Sequence, residues 1–259
     1  MMWKRYALLT AHRAFRNIRM QYGGPFGAVV WMFLNPAVMF CIYYFAVAII
    51  FKLKIDKPYG FGEFLFCGIW VWTSFCNALT KSTTALVNEG PILKKVFFSP
   101  MVLVPSIVLE AFIGLTAGLF LFLLYRLTTG FPDLRPIYTA VFLIPLTFFL
   151  ALFTTGLGWL FSVLNVYWRD LTHFINILLT LWFYATPIIY PPELIPDKWE
   201  IVLAVNPAHT FIVLFREIML NLQPGSFVLW LAVISFSLTF FLIGITFMRV
   251  FYPRVIDFL

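Results

Sequence analysis

Charged residues are scarce in this chain. Asp, Glu, Lys and Arg make up 11% of its 259 residues, whereas hydrophobic residues make up 62%. Soluble globular chains carry about 25% charged residues, so this composition excludes a soluble globular protein and indicates an integral membrane protein. The apolar stretches leave no room for a large soluble domain beside them, and we predict a single membrane domain over residues 1–259.

Cysteine and histidine are also scarce, with 3 of each. Cys41, Cys67 and Cys76 lie in apolar stretches and form no CxxC pair, which is typical of small buried hydrophobic residues. The histidines lack the spacing of a zinc site, and no pair of carboxylates within one helical turn lies in the middle of an apolar run. We therefore expect no bound metal and no catalytic site, which argues against a membrane enzyme.

A Gly-Lys pair is absent, so the chain lacks the G-x-x-x-x-G-K-S/T phosphate loop. It is not expected to hydrolyse ATP alone or to carry a cofactor of its own. The net charge of +7 comes from basic residues scattered at the ends of apolar segments. This distribution favours membrane anchoring over nucleic-acid binding.

Long apolar runs, in contrast, are abundant. A helix needs about 20 mainly apolar residues to cross a hydrocarbon core of about 30 Å. Because these runs do not alternate as barrel strands do, we predict an all-α protein with six transmembrane helices. The predicted spans are residues 28–51, 61–80, 101–125, 138–164, 171–190 and 227–250.

The Lys and Arg residues predict the orientation of these spans. If the N-terminus is cytoplasmic, most of the 18 Lys and Arg residues fall in inside segments. The positive-inside tendency therefore places both termini in the cytoplasm. The segment NVYWRDLTHF, residues 165–174, is then a cytoplasmic turn, where the carboxylate of Asp170 is predicted to cap the fifth span.

Two segments outside the spans are unusual. Residues 1–22 carry arginines at every third position among aromatic and aliphatic residues, which favours an amphipathic helix in the membrane interface over a merely positive flank. Residues 191–222 contain several prolines but are too apolar for an exposed loop. We predict two re-entrant half-helices there, at about 193–204 and 207–221, with Pro187 and Pro207 as structural residues.

The loop NEGPILKKVFFSP, residues 88–100, is a third notable segment. Gly90 and Pro91 are expected to end the preceding helix, after which residues 92–98 form a short helix. Such a helix presents both lysines and apolar side chains to a partner. A solvated positive-inside loop is the alternative, but it does not explain the apolar residues.

Within the spans, Glu110 and the aromatic residues are the candidates for function. Glu110 lies about ten residues into the third span, where an ionisable group is either functional or a hydrogen-bonded link between helices. Aromatic residues make up 20% of the chain, and most are expected to face lipid. Because aromatic faces pack against the C–H faces of sugars, a minority are candidates for lining a carbohydrate path. These candidates are Trp70, Trp72, Phe75, Trp182 and Tyr184.

Three segments together resemble the membrane subunit of the ABC-2 type polysaccharide exporters, which move O-antigen, capsular polysaccharide or teichoic acid precursors. The first is RYALLTAHRAFRNIRMQYGGPFGAVVWMFLNPAVMFCIYY, with Gly27, Trp31 and Pro36 in the spacing of that family. The second is ILKKVFFSPMVLVP, although Ser99 stands between the aromatics and the proline. The third is NVYWRDLTHFINILLTLWFYATPIIY, continuing to Asn206 and Pro207.

The resemblance implies an ABC-2, type V exporter-like transmembrane domain in the bacterial inner membrane. It implies a homodimer, two separate ABC ATPase subunits that bind ATP and Mg, and a lipid-linked glycan, with O-antigen as the leading substrate. It also implies that Arg169 either pairs with Asp170 or faces the substrate entrance. Lys198 and Arg216 are implied either to meet an anionic group or to anchor the interface by pairing with Glu200 or Glu217. The residues implied to couple to the ATPase are Arg13, Arg16, Glu89, Leu93, Lys94, Lys95 and Phe97.

Other readings of the sequence stay open. An ABC-2 permease for teichoic acid, capsule, or a smaller lipid or drug has the same architecture. From another class, a membrane enzyme that acts on lipid-linked sugars needs a placed acid and base, which the sequence does not offer.

Overall fold

The computed structural model describes residues 8–14, 25–53, 57–95, 99–128 and 135–255. Throughout these ranges the chain forms helices joined by turns, and none of the described residues is in a strand. The helical content confirms the predicted all-α fold class. Residues 8–14 form α1, and the remaining helices are α2 (Pro25–Tyr44), α3 (Phe61–Lys95), α4 (Leu103–Thr128), α5 (Arg135–Ala140), α6 (Leu143–Tyr167), α7 (Leu171–Ala185), α8 (Glu200–Val205), α9 (Pro207–Met219) and α10 (Phe227–Val255).

Within the described residues, four helical stretches are long and apolar enough to cross a membrane. They are Phe33–Ile50, Pro100–Thr128, Tyr138–Tyr167 and Phe227–Tyr252, and they match the first, third, fourth and sixth predicted spans. The second predicted span lies in α3, a 35-residue helix that carries ionisable residues. The fifth lies in α7, which has 15 residues and a length of about 22 Å. A count of six spans therefore stays a prediction.

The expected helix break at Gly90 and Pro91 is wrong, since α3 continues to Lys95. Pro91 lacks an N–H donor and its ring crowds the carbonyl of Val87, but the backbone remains helical beyond it. The end of α3 is therefore one continuous extension rather than a separate short helix.

The predicted fourth span is interrupted. A turn at Val141 and Phe142 separates α5 from α6. Pro145, the third residue of α6, cannot donate to the carbonyl of Val141; the amide of Ile144 donates to that carbonyl instead, at 3.3 Å.

The first predicted half-helix, 193–204, is only partly correct. Two short 3-10 turns, Pro192–Leu194 and Asp197–Trp199, precede the six-residue α8, because Pro196 lacks the N–H that a continuous helix needs at this point. The second, 207–221, corresponds closely to α9.

The long helix α3 lies at the centre of the fold and contacts α2, α4, α6, α7 and α9. On another side of α6, the backbones of α6 and α10 meet at Gly156 and Gly244. A Cβ atom on Gly156 would clash with the backbone of Phe240, and one on Gly244 would clash with the backbone of Gly156. Glycine therefore permits the closest helix crossing here, as small residues do in membrane bundles.

Candidate functional site

Helix α1 is joined to the far end of α3 by an ion pair. The guanidinium of Arg13 meets the carboxylate of Glu89, and Arg13 is buried. Both residues were predicted to couple to an ATPase, and the structure brings them together. Arg16 and Phe97 lie outside the described residues. Leu93, Lys94 and Lys95 belong to α3, but their side chains are also outside the described part.

The aromatic candidates on α3 are mostly core residues. Trp70, Trp72 and Phe75 are all buried. The indole N–H of Trp70 donates to the carbonyl of Gly114 at 3.3 Å, and a Cβ atom on Gly118 would clash with the Trp70 ring. The cluster therefore packs α3 against its neighbours, and of its members Trp72 also forms part of a groove wall.

That groove lies between α2, α3 and α7 and has a volume of about 320 Å³. Its wall is unusually polar for so apolar a chain: Asn35, Asn77, Asn176 and Thr180 are all exposed. The hydroxyl of Thr80 donates to the side-chain oxygen of Asn176 at 3.4 Å, which joins α3 to α7. The residues that line this polar groove are Asn35, Met39, Tyr43, Ile69, Trp72, Thr73, Cys76, Asn77, Thr80, Asn176, Leu179, Thr180, Phe183 and Tyr184.

Helical spacing places these polar residues on one wall. Thr73, Asn77 and Thr80 on α3 are separated by four and then three residues, which puts them on one face of a helix. On α7, Asn176 and Thr180 are four residues apart. This stripe is not among the residues predicted from the sequence, where the aromatic residues are the candidates, although its helical spacing is visible in the sequence.

Of the aromatic candidates on α7, Tyr184 lines the polar groove and is exposed. Trp182 has a different role, because its indole N–H donates to the side-chain oxygen of Asn206 at 2.8 Å. The amide of Asn206 in turn donates to the hydroxyl of Thr186 at 2.9 Å, and its oxygen caps α9 by accepting from the amide of His209 at 3.3 Å. Pro207 occupies the first turn of α9. The Asn206 side chain thus fixes the start of α9 against the end of α7.

Glu110 is paired with Lys81 across α3 and α4. The ammonium of Lys81 donates to Glu110 Oε1 at 2.8 Å. Glu110 is thus hydrogen-bonded to a neighbouring helix, whereas its role stays a prediction. Lys81 and Glu110 also line a small cavity, of about 60 Å³, that shares Asn35, Thr73 and Asn77 with the polar groove.

Arg216 binds backbone carbonyls rather than an expected acidic partner. It is buried, and its guanidinium donates to the carbonyls of Pro187 and Ile188, both at 2.8 Å, and of Phe64 at 3.3 Å. Its carbon Cζ lies 3.4 Å from the centre of the Phe64 ring, and Gly68 leaves room for it, since a Cβ there would come within 2.7 Å of Nη2. Arg216 therefore locks α9 to α3 and to the segment after α7, which also gives Pro187 its structural role.

The other charged candidates are exposed. Lys198 lies near α8, and Arg169 and Asp170 lie in the turn before α7. Asp170 occupies the capping position, but its side chain makes no capping bond; its backbone carbonyl accepts from the amides of His173 and Phe174. The predicted carboxylate cap is therefore wrong, because the backbone alone closes the first turn. The described ion pairs do not include one between Arg169 and Asp170.

The loop before α3 carries one further surface pair. Lys57 Nζ lies 3.2 Å from Glu193 Oε1. The backbone amide of Glu193 itself, and then the nearby Lys57, lower the pKa of the Glu193 carboxyl. This pair fastens the first 3-10 turn after α7 to the loop that precedes α3.

The four long apolar helical stretches, together with α3 and α7 around the polar groove, define a helical membrane domain. Residues 13–220 match the family described as ABC-2 type transporter, and the chain belongs to this family. It is 31% identical to the O-antigen export system permease protein RfbA of Myxococcus xanthus over 207 residues, 78% of this chain and 76% of that protein. It is 27% identical to the O-antigen export system permease protein RfbA of Klebsiella pneumoniae, over 80% of this chain and 78% of that protein. These findings confirm the resemblance drawn from the three sequence segments.

Proposed function

We propose that this chain is the permease subunit of an ATP-driven exporter that moves a lipid-linked O-antigen polysaccharide across the bacterial inner membrane. The names of its relatives in Myxococcus xanthus and Klebsiella pneumoniae support this substrate. The structural observation that supports it most is the polar groove between α2, α3 and α7.

The chemistry of the polar groove suits a glycan. Side-chain amides and hydroxyls donate and accept hydrogen bonds, as sugar hydroxyls do, and Asn77, Asn176 and Thr180 are exposed in it. Such groups are costly when they face lipid and are tolerated where they line a polar path. Tyr184, which is exposed, supplies aromatic surface in the same wall. The groove thus offers both hydrogen bonds and ring faces to a passing sugar.

A second copy of the chain would close the groove. On α7, Ile177 is 62% exposed and Leu181 is 64% exposed, next to the polar positions Asn176 and Thr180. A partner helix covering this apolar surface would enclose the polar positions in a channel away from lipid. This is the basis for proposing a homodimer, with one polar groove as each half of the channel wall.

Energy would come from two ABC ATPase subunits, which bind ATP and Mg on their own chains. Helix α1 and the end of α3 are the proposed docking elements, because the ion pair between Arg13 and Glu89 joins them. A movement of α1 would pass along α3 to Asn77 and Thr80 in the polar groove. With both termini in the cytoplasm, as the distribution of Lys and Arg favours, these docking elements face the ATP supply.

Reconstitution with the cognate ATPase tests this function. The permease is purified with the candidate ABC ATPase in lipid nanodiscs, and ATP turnover is measured with undecaprenyl-linked O-antigen, teichoic acid precursor or capsule glycan. We expect a stable complex whose turnover rises with lipid-linked O-antigen more than with the other two glycans. Failure to form a complex would contradict the exporter, whereas a larger response to another glycan would contradict only the choice of O-antigen.

A further inference from the structure

The ion pair between Lys81 and Glu110 is asymmetric in its burial. The side chain of Glu110 is 8% exposed, but that of Lys81 is 37% exposed. The cavity that both residues line shares three residues with the polar groove. The carboxylate is therefore anchored in the protein, while the cation extends to the edge of the proposed glycan path.

The pair lies well inside the bundle. Glu110 is seven residues beyond Leu103, where α4 begins, a rise of about 10 Å. Thr80, beside Lys81, bonds Asn176, which is five residues beyond the start of α7 at Leu171. If α4 and α7 begin at the cytoplasmic surface of the membrane, both distances put Lys81 about a quarter to a third of the way into a hydrocarbon core of about 30 Å. A partly exposed lysine is costly at such a depth, and ionisable groups there usually belong to substrate or ion paths.

A purely structural pair in the same protein looks different. Arg126 and Glu63 join α4 to α3 at 2.8 Å, with side-chain exposures of 5% and 15%, and Arg126 also donates to the carbonyl of Leu220 at 3.3 Å. The Arg126 side chain is therefore buried more deeply than that of Lys81, although it also borders a pocket near the start of α3. The Lys81 side chain is several times more exposed than that of Arg126, so part of its surface can be reached from the cavity that it lines.

We propose that Lys81 binds the phosphate group that joins the glycan to its lipid carrier, and that Glu110 is a positioning residue that holds the ammonium at the groove. An ammonium binds phosphate strongly as a point charge. Asn35 and Asn77 in the shared wall would donate further hydrogen bonds to phosphate oxygens. The anionic linkage would pause at Lys81 while the sugars extend along the polar groove. This inference rests on the proposed function, of which it specifies the substrate contact.

Binding of undecaprenyl diphosphate to the permease in nanodiscs tests the inference, with undecaprenol as the uncharged probe. The variants are Lys81→Arg, Lys81→Gln and the charge exchange Lys81→Glu with Glu110→Lys. Thermal stability is measured on each. The exchange restores an ion pair between α3 and α4 but puts the negative charge at the groove, so it separates a structural role from a binding role.

We expect the wild-type protein and Lys81→Arg to retain undecaprenyl diphosphate in preference to undecaprenol. Loss of a charge-assisted contact predicts about ten- to a hundredfold weaker binding for Lys81→Gln. The exchange variant should melt near the wild-type temperature and fail to bind. If the exchange does not fold, the apolar pair Lys81→Met with Glu110→Met replaces it, since well-packed apolar substitutes are often neutral in stability; it too should be stable and fail to bind.

Three results would overturn the inference. The first is wild-type affinity in the exchange or apolar variant, and the second is no preference of the wild-type protein for the diphosphate. The third is that phosphatidic acid or inorganic pyrophosphate displaces bound undecaprenyl diphosphate as well as undecaprenyl diphosphate itself does. That result would mean that the site binds ordinary lipid headgroups or free phosphate. Complex formation with the ATPase and glycan-stimulated turnover are measured on the same preparations, so a failure of the proposed function is seen separately.

Discussion

The guanidinium of Arg13 on α1 forms an ion pair with the carboxylate of Glu89 on α3. Glu89 lies eight residues beyond Lys81, about 12 Å along the same helix. A single rigid helix therefore connects α1 with the wall of the polar groove. This gives a direct mechanical route between the proposed ATPase contact and the proposed glycan path.

Breaking this pair should uncouple ATP turnover from export. In Arg13→Glu the two side chains repel each other, and we expect glycan export per ATP hydrolysed to fall about tenfold, the size of a typical coupling free energy. The exchange Arg13→Glu with Glu89→Arg restores the pair and should restore most of the coupling. Export and ATP turnover are measured on one reconstituted complex. An exchange variant as impaired as the single variant would show that the residues act on the ATPase separately.

Arg216 should stabilise the fold rather than contact the substrate. Replacing it by methionine leaves the carbonyls of Pro187 and Ile188 without their donor, at a cost of roughly 2–4 kcal/mol. Thermal unfolding in detergent measures this effect. The control is Arg249→Met on the exposed face of α10, which should leave the melting temperature nearly unchanged. A fully stable Arg216→Met variant with impaired glycan stimulation would restore the substrate role.

The contact between α6 and α10 should not tolerate a side chain at Gly156. Because a Cβ atom there would clash with the backbone of Phe240, Gly156→Val must push the helices apart and should cost several kcal/mol by overpacking. A matched control is Gly60→Ala, where a Cβ atom meets nothing within 4 Å. Yield and melting temperature of the two variants are compared. Similar stability for both would contradict the close crossing.

Asp170 and Asn206 should differ as helix caps. The Asp170 side chain makes no capping bond, so Asp170→Ala should change stability by less than about 0.5 kcal/mol. Asn206 caps α9 and also binds Trp182 and Thr186, so Asn206→Ala should cost at least roughly 1–2 kcal/mol. Denaturation of both variants in one detergent gives the comparison. Equal losses would show that Asp170 caps in solution.

Four of the predicted spans could be read from the sequence because an apolar run of about 20 residues has few alternatives in a membrane. Whether a helix continues or ends at a given proline could not be read from the sequence. Pro91 leaves α3 helical, whereas Pro145 coincides with a turn before α6. A proline removes one donor in either case, and the packing around it decides whether the helix continues.

The candidate site was predictable in part. Pairing of Glu110 with another helix was expected, but its partner Lys81 is 29 residues away and is identified only by the crossing of α3 and α4. Arg216 looked like a surface cation because its acceptors, at 64 and 187–188, are distant in sequence. The aromatic residues of α3 were assigned to the path, yet large rings gain most from burial; the smaller Asn and Thr residues remain in the groove.

If the glycan passes along the polar groove, export of lipid-linked O-antigen into vesicles by the reconstituted complex should depend on the amides of that groove. The test variant is Asn77→Leu with Asn176→Leu, which removes exposed amides from both walls, and the control is Thr116→Val on the exposed face of α4. We predict at least about a tenfold loss of export for the double variant, with melting temperature and ATPase binding unchanged, and wild-type export for the control. Wild-type export by the double variant would show that the glycan does not pass along the polar groove.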